Sequence, residues 1–163
     1  MTQIKSSGTQ GPVLSWWNRL STWPGGPWLF SLALGLIAPY SGTIGARVEE
    51  IGPGYARVTL RDRRRVRNHL RSTHAIALIN LGEIATGLAV LSTVSANMRG
   101  IVLGIEASFV KKARGKLTAT ADFRLPELVE ENTSCEVTAQ LRDDSGETVA
   151  EVKATWLIGY QAS

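Results

Sequence analysis

The chain has 163 residues, 44% of them hydrophobic and 20% charged, with a formal net charge of +4. That length suits one domain with a proper core, and the balance is that of a globular protein. The single cysteine, Cys135, excludes an internal disulfide and a cysteine-rich zinc site. His69 and His74 make no metal-ligand spacing with acids, so no metal is expected.

Residues 1–26 are rich in Gly, Ser, Thr and Trp and end in the break Pro24-Gly-Gly-Pro27. They read as an N-terminal extension to a domain spanning 27–163. The apolar stretch from Trp28 to Ile37 has no basic residue directly before it; the nearest are Lys5 and Arg19. That arrangement argues against a signal peptide. Residues 27–38 are expected to form a short amphipathic or buried helix. Trp16, Trp17, Trp23 and Trp28 are expected to pack over the domain or to touch a membrane surface.

Residues 43–51 and 55–61 predict two strands around the turn Gly52-Pro-Gly54. Ala56, Val58 and Leu60 alternate with Arg57, Thr59 and Arg61. Arg61, Arg63, Arg64, Arg65, Arg67 and Arg71 then fall within eleven residues. Such a run is either a solvated loop or a contact for a phosphate-bearing partner. No recognised nucleic-acid motif accompanies it, so nucleic acid is not expected, and a phosphorylated small molecule fits.

Between Arg71 and Arg99 the only formally charged side chain is Glu83. The run from about 73 to 94 predicts a helix that is apolar nearly all round. Its exception is one face carrying Asn80, Glu83 and Gly87, at helical spacings of three and four. Either Glu83 reaches solvent or an arginine at the domain edge, or this polar stripe walls a pocket, with Gly87 leaving room beside the acid. Burial of the carboxyl would raise its pKa toward the range useful for proton transfer. The run is long enough for a membrane span, which needs about 20 apolar residues. A central acid costs about 2.5–3.5 kcal/mol on insertion scales, and amphipathic strands follow, so no span is expected.

Four strand patterns complete the chain. Ile101, Leu103, Ile105, Ala107 and Phe109 alternate in the first, and Leu117, Ala119, Ala121 and Phe123 in the second. Cys135, Val137, Ala139 and Leu141 mark the third, with Cys135 as inert core; Ala150, Val152, Ala154, Trp156 and Ile158 mark the fourth. Turns at Ala113-Arg-Gly115 and Asp143-Asp-Ser-Gly146 predict antiparallel hairpins. The apolar face of such a sheet must be covered, and one long apolar helix is available to cover it. The expected fold is α+β, a curved antiparallel sheet wrapped around a central helix.

That order of elements resembles the hotdog fold. The pattern Asn68-x5-His74-x8-Glu83 is similar to that of hotdog acyl-CoA thioesterases of the phenylacetate-pathway type. There an Asn precedes a His-Gly-Gly motif, and an acid lies nine residues after the His. Phe109-Val-Lys-Lys-Ala-Arg-Gly115 resembles the family's strand and turn around a Gly. Ala38-Pro-Tyr-Ser-Gly-Thr43 is similar to an uncharacterised hotdog branch, in which it opens the first strand. The resemblance covers about residues 27–160. The chain departs from it where Ala75-Ile76 replaces Gly-Gly.

The resemblance implies hydrolysis of an acyl-CoA or acyl-carrier thioester by a cytoplasmic homo-oligomer, a dimer or a dimer of dimers. No cofactor is implied; coenzyme A enters as part of the substrate. Glu83 would activate water or attack the thioester. The N–H groups near Ala75 would stabilise the oxyanion at the helix N-terminus, and Asn68 and His74 would position the thioester or the water. Asn80, Gly87, Arg61, Arg63, Arg64 and Arg65 would bind substrate, the arginines through coenzyme phosphates. The rival is a non-catalytic acyl-thioester-binding module on the same fold. A hydratase is a third reading, but the Asp and His spacing typical of hydratases is absent.

Overall fold

Strand alternation and one apolar helix set the architecture of the computed structural model, which describes residues 11–126 and 132–160. The first ten residues of the expected extension lie outside that set. The order is α1 (Pro12–Leu20), α2 (Gly26–Ile37), α3 (Pro39–Gly42), β1 (Arg47–Gly52), β2 (Tyr55–Leu60), α4 (Ala75–Leu91), β3 (Met98–Phe109), β4 (Leu117–Asp122), β5 (Thr133–Arg142) and β6 (Thr148–Tyr160). The six strands form one antiparallel sheet in the order β1-β2-β4-β5-β6-β3. The sheet wraps α4, which touches every strand. This is the hotdog arrangement.

The alternating side chains of β2, β4 and β6 point inward as their pattern requires. Ala56, Val58, Leu60, Leu117, Ala119, Val152, Ala154 and Ile158 are all essentially inaccessible. From Ala77 to Val90, every residue of α4 is buried except Ile79 and Glu83. Cys135 faces the same side as Val137 and Ala139 but is only partly buried, and burial raises its thiol pKa.

Gly82 sets how close α4 lies to the sheet. A Cβ there would run into the side chain of Val152, well inside contact distance. Gly to Ala inside a helix ordinarily gains ~1 kcal/mol. Overpacking a closed core costs about 1–3 kcal/mol, and here the overlap is with a branched carbon on a central strand. Gly82→Ala is therefore expected to lower stability despite the better helix former. A denaturant titration showing equal or higher stability would refute this close packing.

Four expectations need correction. Residues 38–43 do not open the first strand: Pro39 starts the short helix α3, Gly42 N–H and Thr43 Oγ1 bond back to Ala38 O and Tyr40 O, and β1 begins at Arg47. The Ala113–Gly115 turn does not close a hairpin. β3 pairs with β6, and β4 with β2 and β5, so residues 110–116 cross over. That crossing is pinned by Val110 N–H to Val149 O, by Thr73 N–H to Ala113 O and by Gly115 N–H to Asp62 Oδ2.

The inward set of β3 also changes parity. A bulge between Val102 and Gly104 inserts a residue, so Gly100 and Val102 lie inward before it, and Ile105, Ala107 and Phe109 after it. Ile101 and Leu103 consequently point outward and are exposed. Finally, the helix expected over 27–38 is present, but it is neither buried nor amphipathic. Only Gly26 and Phe30 of α2 are buried, although the helix is apolar nearly all round. Of the four N-terminal tryptophans, Trp17 alone is buried, its ring edge-on to Phe30 at 5.2 Å.

Candidate active site

Glu83 stands on the one polar face of α4, where α3 meets it. Ser41 Oγ donates to Glu83 Oε2 at 3.5 Å, and one turn earlier Asn80 Nδ2 donates to Tyr40 O at 3.4 Å. Burial raises the Glu83 pKa above the ordinary carboxylate value, and the Ser41 hydrogen bond opposes this only in part. Among the described residues no Lys or Arg forms an ion pair with Glu83. The reading in which Glu83 holds an arginine therefore finds no partner there. Gly87, one turn on, is occupied territory: the Trp156 indole lies 3.1 Å from where its Cβ would be. Trp156 Nε1 donates to Thr86 Oγ1 at 3.3 Å, fixing that ring.

Two hollows flank α3. A cavity of about 560 Å³ is walled by Trp28, Leu32 and Leu36 of α2, Val48 and Val58 of the sheet, and Ile84 and Ser41 beside the acid. Its polar wall is formed by Arg47, Arg61, Arg63 and Arg65. A smaller cleft of about 200 Å³ is lined by Tyr40, His74, Ile76, Ala77 and Asn80. Thr43 and Arg65 border both. The close approach of α3 to α2 that frames the cavity depends on paired glycines: a Cβ on Gly42 would sit 2.8 Å from Gly35 Cα.

The residues before α4 are organised by local bonding. His74 is the N-cap, and its Nδ1 accepts from Ile76 N–H at 3.1 Å. The Ala75 N–H is one of the first-turn amides that the helix itself leaves unpaired. Asn68 Oδ1 accepts from Leu70 N–H at 2.9 Å and from Ser72 N–H and Oγ at 3.2 and 3.3 Å, closing a turn in which Arg71 has a φ of 55°. Nine residues separate His74 from Glu83, about 13.5 Å along a helix axis. The single chain thus gathers His74, Asn80 and the helix start in the small cleft, while Glu83 faces α3 beside the larger cavity.

The arginines divide. Arg67 is held by Asp62, with Nε–Oδ1 at 2.6 Å and NH2–Oδ2 at 3.0 Å. Arg63 NH2 donates to Gly45 O at 3.1 Å and still lines the cavity with Arg61 and Arg65. Arg64 lies in a 3-10 turn and lines neither hollow. Ser41 and Arg47 were missed by the sequence reading; the Gly35 and Gly42 pair flanking a proline was the available sign of a tight helical corner.

Residues 26–158 match the family described as Domain of unknown function (DUF4442). The chain belongs to the DUF4442 family. A structural-genomics crystal structure that names no function is similar at 29% identity and a TM-score of 0.78, over 91% of this chain and 99% of the other. A Pseudomonas aeruginosa protein of unknown function, described as a probable thioesterase, is 25% identical with a TM-score of 0.69, over 76% and 88% of the two chains. A thioesterase family protein from Silicibacter pomeroyi shares the fold at 18% identity and a TM-score of 0.69, covering 80% of this chain and 96% of its own. No curated protein matches the chain by sequence. This DUF4442 member therefore has a thioesterase-type hotdog fold. No helix among its described residues is long and apolar enough to cross a membrane.

Proposed function

We propose that this DUF4442 protein hydrolyses an acyl-CoA thioester, as a homo-oligomer in which Glu83 meets the Asn68–His74 loop of a neighbouring copy. One observation carries the reading: a partly buried carboxylate with a raised pKa, free of any cationic partner among the described residues, beside an arginine-walled apolar cavity. A raised pKa suits a general base working near neutral pH. Glu83 takes a proton from water as the water oxygen adds to the thioester carbon. Collapse of the resulting oxyanion expels the thiolate, and the proton passes from Glu83 to sulfur. Direct attack by Glu83 passes instead through a mixed anhydride that water opens. The Ala75 N–H serves the oxyanion, and one such donor is worth about 2.7–4 kcal/mol.

Assembly is supported by β3. It is an edge strand whose inner face carries the exposed Ile105 and Phe109, surface that a second copy would cover. The decisive experiment is release of free thiol from a panel of acyl-CoAs. A second reading, the non-catalytic acyl-thioester-binding module, is favoured by Ala75-Ile76: the Ile76 N–H is already taken by His74 Nδ1. Tight acyl-CoA binding without thiol release would establish that reading instead.

Arg61, Arg63 and Arg65 are assigned to the coenzyme phosphates, since guanidinium matches phosphate oxygens in a fork. Replacing all three with Gln is expected to raise KM for acyl-CoA at least about tenfold. A short acyl-pantetheine, which lacks the nucleotide, should be almost unaffected. Equal effects on both substrates would return these arginines to the role of a solvated loop.

A further inference from the structure

We propose that the α2 surface docks this protein on an anionic lipid bilayer. The first observation is an apolar surface where water should be. Trp23, Leu36, Ile37 and Tyr40 are 71%, 74%, 72% and 69% exposed, and Trp28, Leu29 and Leu32 are exposed beside them. Leu29, Leu32 and Leu36 recur at spacings of three and four, so they share one side of α2, and the exposed Tyr40 follows on α3. Contiguous apolar surface of this kind is uncommon on a protein that stays in water, whereas scattered exposed residues are ordinary.

The second observation is charge. Residues 1–48 contain no Asp or Glu. Arg61, Arg63 and Arg65 border the same cavity as Trp28, Leu32 and Leu36, and among the described residues none of the three forms an ion pair. Arg19 closes α1 four residues before Trp23. An apolar helix with tryptophans at its start and, along its flank, guanidiniums that no carboxylate among the described residues neutralises matches the bilayer interface. Indole suits the headgroup level, and arginines are drawn to anionic lipid within a Debye length. At 12 residues α2 is about 18 Å long, too short for a ~30 Å hydrocarbon core, so it lies in the interface plane.

A second copy fits this surface poorly. Two copies facing each other through α2 would oppose their arginine rims with no acid from the α1–α3 region to neutralise them. The apolar edge of β3, which the proposed assembly uses, is at the other end of the sheet from β1, where α2 packs. Assembly through β3 leaves α2 open. The docking itself does not depend on thioester hydrolysis.

The test is co-sedimentation of the full chain with vesicles of phosphatidylcholine alone and of an equimolar mixture with phosphatidylglycerol. Binding to the mixed vesicles should be at least about tenfold tighter and should weaken as salt is raised. Trp23→Ser with Ile37→Ser, both outside the cavity wall, should lose most binding to mixed vesicles with an unchanged melting temperature. Arg61→Gln with Arg65→Gln should remove the preference for anionic lipid. No binding to either vesicle, or equal salt-insensitive binding to both, overturns the proposal. So does self-association that the Trp23 and Ile37 changes abolish in the absence of vesicle binding, since a second copy would then be the occupant.

Discussion

Glu83→Gln is expected to lower kcat for acyl-CoA hydrolysis by about 10²–10⁴-fold, the range that a positioned general base contributes. Shape and volume are kept, so acyl-CoA affinity should change little, and the loss should sit in kcat. Stability should move the other way. In the folded chain burial holds the Glu83 pKa above its unfolded value. The folded state therefore binds that proton more tightly than the unfolded state does. The group's contribution is most favourable below the unfolded pKa and is lost as pH rises through the raised one. Glutamine has no such penalty, so the melting temperature of the variant should overtake that of the parent as pH goes from acid to neutral. The acid limb of the parent's kcat/KM profile should fall above the ordinary glutamate value for the same reason. A glutamate that held a buried cation would behave oppositely, with binding, turnover and stability falling together. Unchanged turnover in the variant would remove Glu83 from the mechanism.

What the sequence made legible follows from which forces leave periodic traces. The α4 helix was legible because a run from Ala77 to Val90 with one acid has few ways to be buried except at the centre of a sheet. The inward sides of β2, β4 and β6 were legible because alternation survives wherever a ladder is regular. Where a single residue breaks the ladder, alternation misleads. Ile101 and Leu103 look like the inner partners of Ile105, yet the bulge at Leu103 turns them outward, and nothing in their composition marks it.

Turn chemistry was equally ambiguous. Gly115 does adopt a positive φ of 74°, as a hairpin turn would need, but it serves a crossover anchored on Asp62. The polar stripe of Asn80 and Glu83 was expected either to reach solvent or an arginine, or to wall a pocket with room beside Gly87; Asn80 is buried at the small cleft, Glu83 lines neither hollow, and Trp156 fills the space at Gly87. What the stripe faces, Tyr40 and Ser41, stayed hidden because Ala38–Thr43 resembled the start of a strand. The arginine cluster pointed to anion binding as a group. Its division into Arg61, Arg63 and Arg65 at the cavity, Arg67 locked on Asp62 and Arg64 outside depends on a three-residue 3-10 turn that charge patterning cannot resolve.

Mixed oligomers should recover activity that neither parent variant has. His74, at the start of α4, stands about 13.5 Å along the helix axis from Glu83 within one chain, so a site shared by the two needs two copies. The loop variant must keep the loop. Asn68→Asp retains the oxygen that accepts from Leu70 and Ser72 while removing the amide donor, and His74→Asn retains a good N-cap. Glu83→Gln protomers and Asn68→Asp/His74→Asn protomers should each be nearly inactive alone. After random exchange half of the dimers are mixed, and each mixed dimer holds one site built wholly from native residues. Activity should then rise to about a quarter of the parent's. Ile105→Asp with Phe109→Asp, charges placed on the inner face of the β3 edge, should yield a monomer by light scattering and lose turnover without losing the fold. A mixture no more active than the mean of its two components would confine the site to one protomer, and a parent that is a stable monomer at micromolar concentration would do the same. Recovery in the mixture, together with inactive monomers from the β3 variant, would make assembly itself a component of the active site.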